Sequence, residues 1–278
     1  MTPRITLVTP VFDGMPFLPQ ALASVQAQTL PDFEHILVDG GSTDGSRELI
    51  QAACDGDDRL RCVLEPDRGM YDALLKGLRL GTAPVCGWLN ADDLLAPWAF
   101  ATIDAWFAVG AGDWVTGTPG LWDAQGRLQA VGPPRGYVQG LVRAGWHHRN
   151  ALHPIQQEST FFTRRLLEAV PAADLKRVRS TRLAGDALLW SLFARQAPLH
   201  TLPTTLGGFR MHAGNRSADL AAYDAELRAN GLPAPPRWMH AAFAPIRLGL
   251  RVRGARLARR HWKAAEAAAR AGRVQPPS

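Results

Sequence analysis

Asp92 and Asp93 are adjacent carboxylates that follow an apolar run, Val85–Leu89, within the stretch Trp88–Leu95, WLNADDLL. Neighbouring carboxylates at the end of a buried strand repel each other and resist desolvation unless a cation joins them. Hard divalent cations favour oxygen ligands, and Mg²⁺ commonly takes one or two carboxylates with substrate phosphates completing its shell. The pair therefore predicts a Mg²⁺ or Mn²⁺ site with Asp93 as principal ligand and Asp92 beside it. The alternative is a polar turn capping the helix that begins near Pro97. Asp186, in Leu183–Phe193 (LAGDALLWSLF), opens a helix whose apolar face holds Leu188, Leu189, Leu192 and Phe193. From position alone it is either a reactive carboxylate or an N-cap. Arg210, His212 and Arg216 put three potential cations on one loop, a set suited to phosphate oxygens.

The elements that must position these groups follow from apolar periodicity. Ile5–Val11, Glu34–Asp39, Arg61–Glu65 and Val85–Leu89 read as strands, with helices over Phe17–Ala27, Ser46–Ala53 and Tyr71–Leu80 between them. Strands alternating with helices imply parallel strands and right-handed crossovers. Ligands in such sheets bind beyond the carboxyl ends of the strands. Pro10–Phe12, Asp39–Asp44, Asp67–Asp72 and Asp92–Asp93 all fall at such ends, so four polar clusters converge on one rim. Downstream, Ala99–Phe107 and Arg164–Ala169 read as helices, and Asp113–Thr118, a segment ending at Phe161-Phe162, and Thr205–Phe209 as strands. Leu128–Val131 and Tyr137–Val142 are strand-like pieces in a Gly- and Pro-interrupted region. His147, His148 and His153 fit no zinc spacing and have no nearby Cys, so they read as loop or interface residues.

Taken together, Glu65–Gly77 (EPDRGMYDALLKG) and the WLNADDLL stretch resemble the nucleotide-sugar core of the family 2 glycosyltransferases. In that family a strand ends in an Asp-x-Asp-type metal motif, with a segment of the form D-x-G-x-x-D-A-x-N-x-G upstream. Asp67, Gly69, Asp72, Ala73 and Gly77 match the upstream segment, with Leu75 where Asn is common, and Asn90 replaces the first Asp of the metal motif. The resemblance covers roughly the first 215 residues. It implies a GT-A fold, an α/β domain with a mixed central sheet. It also implies metal-dependent transfer of a sugar from a nucleoside-diphosphate donor, taken here as UDP-linked, with inversion at the anomeric carbon. The acceptor would be a saccharide or lipid-linked saccharide in cell-surface polysaccharide synthesis. By the same resemblance Pro10, Phe12 and Asp39 hold the nucleobase, Arg68 and Asp72 lie near the diphosphate and ribose, and Arg210 and His212 meet the leaving diphosphate. Asp186 takes the position of the catalytic base, with Gly185 where the family usually has Glu. Gln156-Gln157-Glu158-Ser159 resembles a segment of polysaccharide-synthesis members and is expected to face the acceptor. The residues keep plainer readings too: Asp39 as a turn or helix cap, Arg68 as an ion pair with Glu65 or Asp67, His212 as a structural hydrogen bond.

Composition bounds the alternatives. The 278 residues suit one large domain with an appendage. We divide them into a GT-A-like domain over 1–232 and a Pro-rich linker with a basic helical tail over 233–278. The net charge of +6 is unevenly spread. From Arg237 onward nine arginines and Lys263 face one acid, Glu266, a balance of +9. The preceding 236 residues carry 21 basic and 24 acidic groups, a balance of −3. The basicity belongs to the tail, which speaks against a nucleic-acid partner and for an anionic membrane surface, with Phe243, Ile246, Leu250, Leu257 and Trp262 inserting shallowly. Cys54, Cys62 and Cys86 lack CxxC spacing and read as core residues of a reducing compartment. No stretch has the apolar length of a signal-peptide core or a membrane span, so the expected location is cytoplasmic, or peripheral on the inner face of the plasma membrane. The G-x-G-x-x-G of a dinucleotide-dependent oxidoreductase is absent after the first strand. TPVFDGMPF lacks the Gly-rich, Arg/Lys-bearing loop of a sugar nucleotidyltransferase. An inactive sugar-nucleotide-binding module is the remaining alternative, because Asn90 and Gly185 both depart from the family pattern.

Overall fold

The computed structural model describes residues 2–148, 151–215, 219–232, 235–236, 243–256 and 259. Strand β1 (Ile5–Val11) is buried along its whole length at the centre of the sheet. Its polar side chains are satisfied by strand β2 (Phe33–Asp39): Thr6 Oγ1 donates to Glu34 at 2.7 Å, and Thr9 Oγ1 pairs with His35 Nε2 at 2.8 Å. Strands β2, β3 (Leu60–Leu64) and β4 (Val85–Trp88) run parallel to β1, as expected for β-α-β units. The crossovers are helices α1 (Leu18–Gln26), α2 (Ser46–Gly56) and α3 (Met70–Leu80). α3 starts at Gly69, whose φ of 124° lies where a side chain is strained.

The remaining strands make the sheet mixed. They are β5 (Leu94–Leu95), β6 (Trp114–Thr116), β7 (Gly120–Trp122), β8 (Leu128–Val131), β9 (Thr160–Thr163), β10 (His200–Thr201) and β11 (Gly207–Arg210). β9 is antiparallel to both β4 and β6, and the main sheet has the order β10-β6-β9-β4-β1-β2-β3. A second sheet has the order β5-β11-β7-β8. Because β9 runs against its neighbours, the start of that strand meets the carboxyl end of β4. Residues just before Thr160 thereby reach the rim where the parallel strands end.

The other helices are α4 (Ala99–Ala108), α5 (Gln139–Arg143), α6 (Arg164–Glu168), α7 (Ala172–Arg179), α8 (Gly185–Phe193) and α9 (Leu220–Ala229). α1, α2 and α4 cover one face of the main sheet through Leu18, Val25, Ile50, Phe100 and Ile103. α3 and α8 cover the other. There Trp190 of α8 stacks on Trp88 at 5.1 Å and on Trp114 at 5.6 Å. Each such pair adds about 0.5–1.5 kcal/mol beyond its area burial. Trp190 lies one turn after Asp186, so this packing fixes the start of α8.

Two expectations are corrected. Tyr137–Val142 is not a strand; Gln139–Arg143 forms α5, because Val142 packs into the core beside α8. His147 and His148 do lie on a loop, but a buried one, with His147 packed on Tyr137 and His153. The tail is helical over 243–256 and lies on the domain, with Phe243 and Leu250 buried against Ala151 and Leu152 and Ile246 packed beside them. Those three apolar residues are therefore spent on protein contacts. Leu257 and Trp262 lie outside the described residues. No helix among the described residues is long and apolar enough to cross a membrane.

Candidate active site

A cavity of about 1290 Å³ opens at the carboxyl ends of the parallel strands. Pro10 and Phe12 line it after β1, Gly40 after β2, Asp67 before α3, and Asn90 and Asp92 after β4. His212, Asp186, Gln157 and Glu158 complete the parts with chemical capacity.

At one end His212 Nε2 lies 2.9 Å from Asp92 Oδ2, with Phe17 packed on the imidazole at 4.3 Å between ring centroids. Asn215 Oδ1 accepts from the His212 amide at 2.8 Å and so shapes the loop that brings the ring in. A carboxylate and an imidazole at this separation fit a divalent cation, and the imidazole inclines the pair towards Mn²⁺. No set of three or more ligating side chains occurs among the described residues. A cation held here would thus have two protein ligands, and phosphate oxygens would have to supply others.

The structure corrects the role given to Asp93. That side chain is fully buried and does not line the cavity. Its Oδ1 accepts from the Arg210 amide at 2.9 Å and its Oδ2 from Asn90 Nδ2 at 3.0 Å. Burial, reinforced by Glu158 and Asp92, pushes its pKa well above the carboxylate range. Asp93 ties β11 to the end of β4, and Asn90 serves that tie. Asp92 is the carboxylate that reaches the cavity.

Four further expectations meet a similar outcome. Asp39 is fully buried and accepts from the amides of Gly41 and Ser42 at 3.2 Å each, the turn role that competed with the nucleobase role. Asp72 accepts from the Arg68 amide at 3.1 Å and pairs with Arg179 of α7 at 3.2 Å, so it caps α3. Arg68 is exposed and outside the cavity lining. Arg210 is fully buried, donates to Gln20 Oε1 at 2.7 Å and lies over the Phe17 ring, so it supports the wall behind His212. Arg216 lies outside the described residues.

Asp186 stands half-buried at the start of α8. Burial pushes its pKa up to about 6, against the opposing effect of hydrogen bonds from the Ala187 amide, Tyr223 and Tyr71. The hydroxyls of Tyr71 and Tyr223 each donate to its Oδ1 at 3.4 Å. The loop before it is held by Glu226 of α9. Glu226 Oε1 accepts from the Arg182 amide at 2.6 Å, and Oε2 from those of Leu183 at 2.8 Å and Ala184 at 2.6 Å. A carboxylate on the free amides at a helix start satisfies orphan donors and favours the helix dipole. Sequence reasoning missed Tyr71, Tyr223 and Glu226. Glu226 lies some forty residues from the loop it holds, and no local pattern links the two.

The first of these segments can be placed among known proteins. Residues 6–111 match the model of glycosyl transferase family 2. That N-terminal segment is similar in sequence to glycosyl transferase family 2. A phenolic glycolipid (PGL/p-HBAD) biosynthesis glycosyltransferase of Mycobacterium bovis is 37% identical over 94 residues, which is 34% of this chain and 37% of that protein. An uncharacterized glycosyltransferase of Bacillus subtilis, EpsJ, is 28% identical over 96 residues, 34% of this chain and 28% of its own length. The chain thus spans about a third of the length of the curated relatives it matches. In fold it is similar to S. aureus TarS residues 1–349 in complex with UDP-GlcNAc, with a TM-score of 0.63 at 14% identity, over 86% of this chain and 69% of that one. The mannosyltransferase PcManGT of Pyrobaculum calidifontis, in complex with GDP-Man and Mn²⁺, gives a TM-score of 0.59 at 19% identity, over 99% and 77%. These likenesses show the fold, the mixed central sheet of GT-A glycosyltransferases. The family match ends before Asp186 and His212, so those two are argued from their geometry.

Proposed function

We propose that the protein transfers a sugar from a nucleoside-diphosphate donor to a saccharide hydroxyl with inversion at the anomeric carbon. The observation that carries this reading is one cavity lined by both the Asp92–His212 pair and the half-buried carboxylate of Asp186, whose pKa burial raises to about 6. Pro10 and Phe12 would flank the nucleobase, with the half-buried Asp67 as the cavity-lining acceptor at that end and Asp39 shaping the turn behind it. Asp92 and His212 would hold Mn²⁺ or Mg²⁺, which neutralises charge on a departing diphosphate. Asp186 accepts the proton from the attacking hydroxyl as general base. A base and a leaving group on opposite sides of the anomeric carbon give direct displacement. Solved complexes of fold neighbours contain UDP-GlcNAc and GDP-Man, which makes those two the first donors to try.

The test is calorimetric titration of UDP-GlcNAc and GDP-mannose with and without Mn²⁺, followed by assay of nucleoside-diphosphate release with saccharide acceptors. We expect one donor to bind in a metal-assisted way and to release its nucleoside diphosphate. Binding without release, across acceptors, would leave a binding module. Release of pyrophosphate instead would indicate a nucleotidyltransferase.

The acceptor end bears on the tail. With Phe243 and Leu250 buried and Arg247 tied to the Ala151 carbonyl, the 243–256 helix exposes Leu248, Arg251, Val252 and Arg256. We propose that this face, with the remaining tail charge, docks on an anionic leaflet and brings a lipid-linked acceptor to the cavity. Each Lys or Arg near such a surface contributes about 1 kcal/mol. Binding to phosphatidylserine vesicles should fall as salt rises and weaken markedly on replacing Arg251 and Arg256 with Glu. Indifference of the full chain to such vesicles at low salt would remove the membrane role and leave the packed helix.

A further inference from the structure

The segment from Gln156 through the 3₁₀ turn Gln157–Ser159 to the start of β9 is pinned by the side chains of Gln156, Ser159 and Thr160. Gln156 spans Gly120, accepting from its amide at 2.9 Å and donating to its carbonyl at 2.7 Å. Ser159 Oγ donates to the Gly207 carbonyl at 2.7 Å. Thr160 Oγ1 donates to the Gln156 carbonyl at 2.8 Å. Two members differ. Gln157 is 9% exposed and Glu158 3% exposed, yet both amide atoms of Gln157 and Oε1 of Glu158 have no protein partner among the described residues. Both residues line the cavity.

Buried polar atoms left unpaired are costly, about as much as a lost hydrogen bond each. A pinned backbone that holds three such atoms in the residues of a cavity wall is suited to a polar ligand that displaces little to reach them. Their position says which part of the ligand. Glu158 lies within electrostatic reach of both Asp92 and Asp186, the groups assigned to the diphosphate and to the attacking hydroxyl. In a direct displacement only the transferred sugar occupies the space between those two. One amide N–H donor, one amide acceptor and one carboxyl group match the hydroxyls of a pyranose ring. They do not match a nucleobase, for which the Pro10 end is proposed, nor a phosphate, since neither Gln157 nor Glu158 carries a positive charge.

We propose that Gln157 and Glu158 form the subsite that binds the hydroxyls of the transferred sugar, and that they discriminate among donor sugars. This rests on the sugar-transfer reading and assigns the segment to the donor sugar, not to the acceptor as its resemblance implied. The chain's fold gives the segment that place, because antiparallel β9 delivers it to the floor beside Asp92.

The test separates sugar from nucleotide. Affinities of UDP, UDP-GlcNAc, UDP-glucose, GDP and GDP-mannose are measured in Mn²⁺ for the unaltered protein and for Gln157→Leu and Glu158→Gln. We expect the nucleotide sugar that binds best to bind about 10- to 100-fold more weakly in each variant, the loss of a hydrogen bond to a buried or charged group. Affinity for the bare nucleoside diphosphate should stay unchanged, which also shows that the variant is folded. The order of preference among sugars should flatten. Unchanged nucleotide-sugar affinity in both variants, with only acceptor KM altered, would overturn the assignment and return the segment to the acceptor. Failure of the unaltered protein to bind any nucleotide would remove the sugar-transfer reading itself, and the subsite with it. Should Glu158→Gln not fold, Gln157→Leu carries the comparison alone, since its amide has no partner in the protein to lose.

Discussion

Asp186→Asn should lower kcat by about 10²–10⁴, the usual worth of a general base, with donor KM nearly unchanged. Asn keeps the shape of the side chain and still accepts from Tyr71 and Tyr223 through its amide oxygen, so α8 should stay in place. What it loses is the capacity to take a proton. The pH profile gives a second check. Burial lifts Asp186 to about 6, so at pH 7 about nine-tenths of it is ionised and ready to act. A base works in its ionised form. The rate should therefore be level above pH 7 and fall roughly tenfold per unit as pH drops through 6 and below. The variant should lack that acid limb. A variant of near-normal rate, or one that keeps the limb, would require a different base.

Asp92→Ala should weaken Mn²⁺-dependent binding of the nucleotide sugar by about 10²-fold or more, since it removes one of two protein ligands. Asp93 offers the contrast. Asp93→Asn keeps an acceptor for the Arg210 amide and should retain metal-dependent binding, while Asp93→Ala should mainly lower the melting temperature. Leaving the buried Arg210 amide and Asn90 without a partner costs about 1–3 kcal/mol. Calorimetry with and without Mn²⁺, beside thermal melts, distinguishes the two carboxylates. Abolished metal response in Asp93→Asn, with Asp92→Ala unaffected, would reverse the assignment.

The sequence made the frame readable because its signals are local and periodic. β1 to β4 and α1 to α3 alternate with clear apolar spacing, and the four polar clusters at the strand ends fell on the rim that the structure displays. Asp92, His212 and Asp186 all line the cavity on that rim. What the sequence could not convey is which way a carboxylate turns. Asp92 and Asp93 are neighbours of identical chemistry, and only the pairing of β11 with β5, which puts the Arg210 amide on Asp93, decides between them. Asp39 and Asp72 were likewise placed at the right strand ends, but local amides and Arg179 engage them. Arg210 looked available for phosphate because a charge in a loop usually is; it lies on the last residue of a strand and points inward. α5 was misread because five residues are too few for a periodicity to declare itself against Gly and Pro neighbours.

Gly185 has a meaning beyond the loss of an acidic neighbour for Asp186. A Cβ built on Gly185 would stand 2.7 Å from the Tyr71 ring and closer still to Thr181 Oγ1, which is itself bound to the Val178 carbonyl. The space that a Glu would need is filled from α3 by a phenol whose hydroxyl already reaches Asp186. Gly185 is therefore fitted to Tyr71 and Thr181 together, although Tyr71 lies more than a hundred residues away in the chain. Any side chain at 185 would have to displace both, and with Tyr71 the hydroxyl that reaches Asp186. The missing acidic neighbour thus follows from how tightly the space beside Asp186 is already filled.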